Sequence, residues 1–410
     1  MRRESISTPC ARPASSVSPI ASNPSSISTR FLFRRRRSRL ARPAMSEPRS
    51  ILVISLRFMG DVLLSTPLIR SLHAAHPGAA IDALVFAGTE SVLEGNPDLR
   101  QVLTAESRAP RWAQAALWRR LWRKYDLAVV AETGDRPHVY GWLAARRRAG
   151  LLPPQWEKRW WKQLSLTCGV VSPPEQARPL SYERLAQAMG IAWKPEMVAP
   201  SAGMPAIAWR DVLGFDAERE RFAVLHLAPR FRYKRWHTAG WHALIAWLHR
   251  EGLRVVITGG PGEDERAYVR QVLAGANTPV TDLCGRLRFA QTADLLRRAA
   301  LFVGPDTATT HLAAACATPT VALFGPTDPR LWGPLPRDGL ERPYEKVVAL
   351  QRRGNVALLQ EPSLPCVPCQ EEGCEKHRES RSDCLDRMSA ARVIDAAREA
   401  VSRGVASARS

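Results

Sequence analysis

The chain has 410 residues, 45% of them hydrophobic, and a formal net charge of +20 at pH 7. This length accommodates two domains with cores of their own, and no apolar run approaches the roughly 20 residues that span a bilayer, which argues against an integral membrane protein. The first 50 residues hold eleven arginines and two acids and contribute +9, so the other 360 keep +11 and suit an anionic partner: a nucleic acid, a membrane or a phosphorylated glycolipid.

Residues 1–49 differ in composition from the rest of the chain. They are rich in Ser, Pro and Arg, show no hydrophobic period and lack the apolar core of a secretory signal. They resemble an organelle transit peptide in composition, but Met45 stands just before the first predicted strand and offers a start of its own. We expect an N-terminal extension that is disordered or never translated, which the intact mass of natively expressed protein would test.

Strands and helices alternate through residues 50–195. Strands are predicted at residues 51–56, 81–86 and 127–131, and helices at residues 62–75, 111–124 and 182–189. Alternating elements with short links favour a parallel sheet covered by helices. The pattern therefore predicts a first α/β domain.

Residues 57–61, Arg-Phe-Met-Gly-Asp, follow the first predicted strand. Gly60 permits a tight turn, and Asp61 then stands at the start of a helix. A carboxylate at this place either caps the helix or acts as a general base on a hydroxyl held across a cleft. The spacing alone leaves both interpretations open.

The same alternation restarts after an irregular stretch that is rich in proline. We place an interdomain linker at residues 196–214, a second α/β domain at residues 215–385, and a C-terminal helix and tail at residues 386–410. The predicted elements are strands at residues 222–227, 254–258, 301–303 and 320–324, and helices at residues 239–250, 292–299, 312–317 and 389–401. Ligands bind beyond the carboxyl ends of such strands, so two facing sheets predict a site in the cleft between them.

Two loops of the second domain carry candidate ligand groups. The loop at residues 226–236 contains Arg230 and Lys234, cations that suit a diphosphate or simply form a solvated basic loop. In TGGPGEDE, residues 258–265, Glu263 opens a helix, where it would bind ribose hydroxyls or cap the helix. This loop is not a G-x-G-x-x-G fingerprint, and the chain has no G-x-x-x-x-G-K-[ST], which disfavours a P-loop NTPase.

Residues 301–329 are the most informative stretch of the chain. An apolar strand stops at Gly304, Asp306 and Thr307 stand where a helix begins, and His311 follows one turn later. The N–H groups and dipole of a helix start favour anions. This stretch therefore predicts a site for a nucleotide diphosphate.

Four of the eight cysteines cluster within residues 366–384. They are Cys366, Cys369, Cys374 and Cys384. This spacing is compatible with zinc, which would be structural because the loop lies far along the chain from the predicted site. Free thiols or disulfides are the alternative, and the other, scattered cysteines fit a reducing compartment.

Residues 108–162 hold seven of the thirteen tryptophans, interleaved with basic residues. Trp118 and Trp122 lie one helical turn apart and suit a core. The mixture also suits an interfacial surface on an anionic membrane or glycolipid, the interpretation we favour. Stacking on single-stranded nucleic acid is the rival use, but no nucleic-acid-binding signature accompanies it.

Together, these motifs resemble glycosyltransferase family 9, the lipopolysaccharide heptosyltransferases, over about residues 50–400. The motifs are RFMGDVLLSTP, the loop containing KRW at residues 234–236, TGGPGED, and VGPDTATTHLAAACATPTVALFGPTDP. The first motif and the cysteine-containing tail are most similar to the heptosyltransferase III branch, which resembles an enzyme that adds a heptose to the second heptose of the inner core.

The resemblance implies a GT-B fold, in which two Rossmann-like domains with parallel sheets face each other across a cleft. It implies an inverting, metal-independent transferase that moves L-glycero-D-manno-heptose from ADP-heptose to the lipid A-core acceptor. It further implies a cytoplasmic, peripheral enzyme at the inner face of the bacterial inner membrane, with no required cofactor and no nucleic-acid partner.

The resemblance also implies roles for single residues. Asp61 matches the catalytic base, and we expect Arg57 and Gly60 beside it on the acceptor side. Lys234 matches the lysine that neutralises the leaving diphosphate, and Glu263 matches a ribose-binding carboxylate. The donor-site motif matches Asp306, Thr307, Ala308 and His311.

Two departures from the family pattern affect the donor site. Ala308 stands where the motif usually has glycine, so the backbone there must avoid glycine-only angles. Arg230 follows Pro229 where small hydroxyl residues are common, and it would supply a phosphate contact instead. A transferase of another nucleotide sugar and a non-catalytic glycolipid-binding homologue are the alternatives; retention of Asp61, Lys234 and the Asp306 motif argues against the latter.

Overall fold

The computed structural model describes residues 47–108, 110–201, 203, 207–276 and 278–407. The predicted N-terminal extension lies outside these residues as far as residue 46. The described residues form two sheets, one in each half of the chain. The α/β class predicted from the sequence is confirmed.

The first sheet is parallel throughout and runs in the order β3-β2-β1-β4-β5-β6. Its strands are β1 (Ser50–Ser55), β2 (Ala80–Phe86), β3 (Gln101–Ala105), β4 (Tyr125–Val130), β5 (Ala145–Leu152) and β6 (Cys168–Val171). Side chains of β1 alternate between two apolar layers: Ile51 and Val53 join one core, and Leu52 and Ile54 join the other. The sheet is therefore covered on both faces.

Helices cover the two faces of this sheet in separate groups. The helices of the first half are α1 (Met59–Leu64), α2 (Thr66–Ala75), α3 (Arg111–Leu121), α4 (Asp135–Ala144), α5 (Trp156–Ser165) and α6 (Arg178–Ala188). Helices α1, α2 and α6 contact one another on the face that points to the second half, whereas α3, α4 and α5 lie side by side on the other face.

The second sheet repeats this topology and runs in the order β12-β13-β11-β10-β7-β8-β9. Its strands are β7 (Phe222–Ala228), β8 (Arg254–Gly259), β9 (Thr281–Asp282), β10 (Leu301–Pro305), β11 (Thr320–Leu323), β12 (Leu350–Arg353) and β13 (Val356–Leu359). All its neighbouring strands are parallel except β12 and β13, which are antiparallel. In both sheets the strand order reverses beside the first strand, which is where such folds bind ligands.

The helices described in the second half range from 4 to 18 residues, and the longest is the last one. They are α7 (Trp209–Leu213), α8 (Thr238–Arg250), α9 (Glu263–Ala274), α10 (Phe289–Arg298), α11 (Ala308–Ala315), α12 (Pro329–Trp332), α13 (Asp383–Asp386) and α14 (Ala390–Ser407). Helix α14 packs against α8 and the second sheet, and α7 lies within the predicted linker. No helix among the described residues is long and apolar enough to cross a membrane.

The observed elements differ from the predicted ones at two motif helices. The helix predicted at residues 62–75 divides into α1 and α2 at Ser65, because Pro67, which has no N–H to donate, lies in the first turn of the new helix. Helix α11 begins at Ala308 rather than at residue 312, because Thr307 caps it. The elements that were not predicted are strands β3, β5, β6 and β9, helices α4, α5, α7, α12 and α13, and the β12–β13 pair.

Candidate active site

The two halves meet at a cavity of about 810 Å³ beyond the carboxyl ends of their strands. Helix α1 contacts α11 there, and a methyl group placed on Gly60 would lie 3.7 Å from the His311 ring. The structure thus brings together most of the predicted site residues. Those lining the cavity are Arg57, Gly60, Asp61, Arg230, Lys234, Asp306, Thr307, Ala308 and His311.

The first half contributes a buried carboxylate to this cavity. Asp61 is 7% exposed and lies in the first turn of α1. The N-cap of α1 is Phe58, and no side-chain hydrogen bond caps the helix. Arg57 Nη2 lies 3.4 Å from Asp61 Oδ1. Capping therefore does not account for Asp61, whose carboxylate is available to the cavity.

A second buried carboxylate of the first half, Glu132, lies just beyond the end of β4 and outside the cavity lining. The N–H of Leu56 donates a hydrogen bond to Glu132 Oε1. Burial raises the pKa of Glu132 to about 7, and the opposing effects of the Leu56 N–H and the Arg57 charge do not cancel this shift. Nothing in the local sequence pattern marks Glu132, and no role was predicted for it.

The second half contributes a compact charged cluster. Lys234 Nζ lies 2.5 Å from Asp306 Oδ2, and His311 Nε2 lies 3.8 Å from Asp306 Oδ1. Burial by itself would raise the pKa of Asp306, but Lys234 and His311 outweigh it and lower the pKa. Burial likewise opposes the charged form of Lys234, and Asp306 outweighs it and raises that pKa. The pair is therefore ionised at neutral pH, and its ammonium faces the cavity.

The start of α11 adds backbone donors to this wall. Thr307 is the N-cap, and its Oγ1 accepts a hydrogen bond from the Thr310 N–H. Ala308 and Thr309, the first residues of the helix, line the cavity. Because Ala308 has helical backbone angles, alanine fits where the family motif usually has glycine.

The structure separates two glutamates of the TGGPGEDE loop. Glu263 is exposed, lies outside the cavity lining, and forms ion pairs with Arg266 and Arg270 at 2.9 Å and 2.6 Å. Glu265 lines the cavity, and its Oε2 accepts a hydrogen bond from the Gly260 N–H at 2.7 Å. Burial raises the pKa of Glu265 despite that hydrogen bond. Glu265, rather than Glu263, is thus positioned to meet a ligand.

The cysteine-containing segment, residues 366–384, lies beside the cavity, although it is far along the chain from the predicted site residues. Its residues Gln370, Glu371, Glu372 and Arg378 line the cavity. Ser382 Oγ donates a hydrogen bond to the Tyr233 carbonyl at 2.7 Å, and the Arg378 guanidinium lies 5.2 Å from the centre of the Phe231 ring. The segment therefore supports the loop that carries Lys234.

The predicted zinc ligands are not arranged as a metal site. Among the residues that the structure describes, no group of three or more His, Cys, Asp or Glu side chains is placed to hold a metal ion. The cysteines of the segment are free, with Cys384 buried and the other three exposed. The four thiols as placed therefore do not fit a bound zinc ion.

Comparison with known proteins places the chain beside glycosyltransferases. Residues 189–358 match the family described as glycosyltransferase family 9 (heptosyltransferase). The chain is 30% identical to an Escherichia coli protein named lipopolysaccharide heptosyltransferase 3, over 68% of this chain and 84% of that protein.

Solved structures show the same fold. A family 9 glycosyl transferase from Veillonella parvula superposes with a TM-score of 0.68 at 17% identity, over 87% of this chain and 97% of that one. The Escherichia coli ADP-heptose LPS heptosyltransferase II superposes with a TM-score of 0.64 at 20% identity, over 86% and 99%. The predicted GT-B fold is confirmed.

Proposed function

Because the chain belongs to glycosyltransferase family 9, we propose that it transfers heptose from ADP-heptose to the inner core of lipopolysaccharide. The observation that supports this most is a single cavity whose walls come from both halves. One wall presents the carboxylate of Asp61, and the other presents the ammonium of Lys234 and the start of α11. The similarity to a lipopolysaccharide heptosyltransferase 3 favours an acceptor at the second heptose of the core.

The donor diphosphate is assigned to the second-half wall. Lys234 and the N–H groups at the start of α11 offer charge-assisted and dipolar contacts to phosphate oxygens. Arg230 lies at the rim of the same wall and adds a further cation. Glu265 is positioned to accept hydrogen bonds from ribose hydroxyls, the role that the sequence pattern gave to Glu263.

The proposed reaction is a single displacement with inversion at the anomeric carbon. The acceptor hydroxyl loses its proton to the Asp61 carboxylate while its oxygen forms the new bond to the anomeric carbon. The bond from that carbon to the ADP oxygen breaks, and the electron pair leaves with ADP. Lys234 and the α11 N-terminus stabilise the charge that develops on the diphosphate.

The chemistry of the acceptor also determines where in the cell the proposed reaction takes place. A lipid A-core acceptor is anionic and anchored in a bilayer, so we place the reaction at the inner face of the bacterial inner membrane, with the enzyme bound peripherally from the cytoplasm. The net charge of +11 outside the first 50 residues supports such an encounter.

The proposed reaction assigns no step to a cofactor. A structural zinc at the four clustered cysteines is a separate question, which metal analysis of the untagged protein answers. Stoichiometric zinc would mean that these thiols rearrange around the ion. Active protein without zinc would mean that the contacts with Tyr233 and Phe231 are enough to hold the segment in place.

Asp61→Asn tests the proposed function most directly. Removing a general base is expected to lower kcat by about 10²- to 10⁴-fold, while the ADP dissociation constant measured by calorimetry stays unchanged. Asp98→Asn is a matched control, because Asp98 is equally buried in the first half but pairs with Arg70 instead. Wild-type turnover by Asp61→Asn would refute the base assignment, and transfer from another nucleotide sugar in preference to ADP-heptose would refute the donor.

A further inference from the structure

Helices α3, α4 and α5 present tryptophans to solvent on the face of the first sheet that points away from the second half. The exposed tryptophans among the described residues of this layer are Trp112, Trp118, Trp122, Trp142, Trp156 and Trp160; together they are called the tryptophan face below. Their exposed fractions run from 41% to 75%. Indole side chains are ordinarily well buried in proteins, so a group of them left in solvent indicates a surface that binds something.

Helix α5 shows the feature in its clearest form. Trp156, Trp160 and Leu164 recur every four residues and therefore lie along one line of the helix, with exposed fractions of 59%, 49% and 80%. The opposite side of the helix holds Lys162, which is buried and binds Asp135 Oδ1 at 2.6 Å and the Thr133 carbonyl at 2.9 Å. The helix thus points its apolar line outward and its anchoring cation inward, the reverse of a usual surface helix.

Cations surround these indoles. Residues 110–124, which include α3, contain five Arg or Lys and no acid. The Arg123 guanidinium lies 5.4 Å from the Trp122 ring and 5.8 Å from the Trp142 ring, so it bridges α3 and α4. Lys158 adds an exposed cation to α5. Exposed indoles beside cations are what the headgroup region of an anionic bilayer accommodates.

We propose that the tryptophan face docks the enzyme on an anionic lipid bilayer, with α5 lying in the plane of the headgroups. The proposal deepens the proposed function, from which it takes the lipid-anchored acceptor. Apolar side chains without a protein partner enter the acyl boundary, and the surrounding cations pair with lipid phosphates. An apolar line on α5 and an acid-free basic α3 favour a bilayer over an uncharged partner.

The anchoring of α5 connects this face to the acceptor side of the cavity. Thr133 and Asp135, the partners of Lys162, follow β4 at the carboxyl edge of the first sheet. Asp61 follows the neighbouring strand β1 at the same edge. The contacts that anchor α5 and the proposed base therefore share the carboxyl edge of one sheet, with α5 and α1 on opposite faces of it.

Vesicle co-sedimentation of the full chain tests the proposal. We expect the wild type to bind vesicles of equimolar phosphatidylglycerol and phosphatidylcholine, and salt to weaken this binding. The triple variant Trp156→Ala/Trp160→Ala/Leu164→Ala should bind at least about tenfold more weakly. The conservative Trp156→Phe/Trp160→Phe variant should retain binding, and so should Leu180→Ala, which removes an exposed side chain from α6 on the opposite face.

Activity measurements separate this proposal from the proposed function. The triple variant should keep wild-type kcat/KM on a delipidated core oligosaccharide and lose activity only on acceptor embedded in vesicles. The docking surface would be overturned if the wild type failed to bind anionic vesicles, or if the triple variant bound them as tightly as the wild type. A triple variant that no longer binds single-stranded RNA but still binds vesicles like wild type would also overturn the docking surface. Tryptophan-dependent vesicle binding by a protein that transfers no heptose would refute the proposed function alone.

Discussion

Each half of the chain holds a buried carboxylate at the carboxyl edge of its sheet, and the pKa values of the two are shifted in opposite directions. Glu132 follows β4 in the first half, and Asp306 follows β10 in the second, so both lie beyond the strand where the order of their sheet reverses. Burial raises the pKa of Glu132 to about 7. At Asp306 an ammonium at 2.5 Å outweighs burial and lowers the pKa. One topology therefore supports a proton-holding carboxyl on one side and a fixed ion pair on the other.

This difference fits the division of labour in the proposed reaction. The first half has to accept a proton from a hydroxyl, and its Asp61 carboxylate lines the cavity, in the half where burial raises the pKa of Glu132. The second half has to receive a diphosphate, and a cation already fixed in place needs little reorganisation when charge develops. Changing one charged or titratable residue of each half in turn tests this difference.

Removing the cation of the second half should have the largest effect. Lys234→Met leaves Asp306 buried without its partner, and breaking such a pair costs about 3–5 kcal/mol of unfolding free energy. ADP affinity should fall as well, because the diphosphate loses its ammonium. Denaturant unfolding and calorimetry with ADP measure the two effects.

Arg232→Met is the matched control for that change. Arg232 is an exposed cation of the same loop and lies outside the cavity lining. Its removal should leave both stability and ADP binding close to wild type. Equal losses in the two variants would show that general basicity of the loop, and not the Lys234–Asp306 pair, distinguishes the two halves.

Sequence patterns predicted the site residues that belong to local motifs. Asp61, Lys234 and the Asp306 motif each lie in the segment that follows a strand, and parallel sheets bring such segments to one edge. Glu132 follows a strand too, but its importance comes from burial against β1, which only the folded sheet creates. The cysteine-containing segment reaches the cavity through tertiary contacts with Phe231 and Tyr233, and no spacing in the sequence encodes those.

The tryptophans also show that a sequence pattern does not decide which side chains are buried. Trp236 and Trp241 in the second half are fully buried and contact each other edge to face with ring centres 4.9 Å apart. Trp118 and Trp122 in the first half are exposed, although their spacing suited a core equally well. Helical spacing defines a shared face, and only packing decides whether that face meets a core or solvent.

Glu132→Gln should change how stability depends on pH. The folded state holds the Glu132 proton up to about pH 7, whereas the unfolded chain releases it near the ordinary glutamate pKa of about 4.3. Between these values the folded state binds more protons, so the unfolding free energy falls as pH rises. The wild type should lose at most about 4 kcal/mol across this window, and Glu132→Gln, which still accepts from the Leu56 N–H, should lose less.

Thermal unfolding of both proteins between about pH 4 and pH 8, a range that brackets those two pKa values, measures this dependence. Parallel curves for wild type and Glu132→Gln would mean that Glu132 ionises normally in the fold. The contrast with Asp306 would then rest on the Lys234 pair alone.

The smallest effect is expected at Glu265, which tests whether the second half also holds a carboxylate whose pKa is raised by burial, like that of Glu132. Glu265 resembles Glu132, since burial raises its pKa and a backbone N–H opposes the shift, whereas Arg270 and Arg266 lower the pKa of the exposed Glu263. Glu265→Gln should weaken ADP binding by about tenfold, as expected when a charged hydrogen-bond acceptor is lost, and Glu263→Gln should leave it unchanged. The reverse result by calorimetry would return the ribose contact to Glu263. A loss with Glu265→Gln alone would show that the second half also presents to the ligand a carboxylate whose pKa burial raises, and the Lys234–Asp306 pair would then mark the diphosphate position and not the second half as a whole.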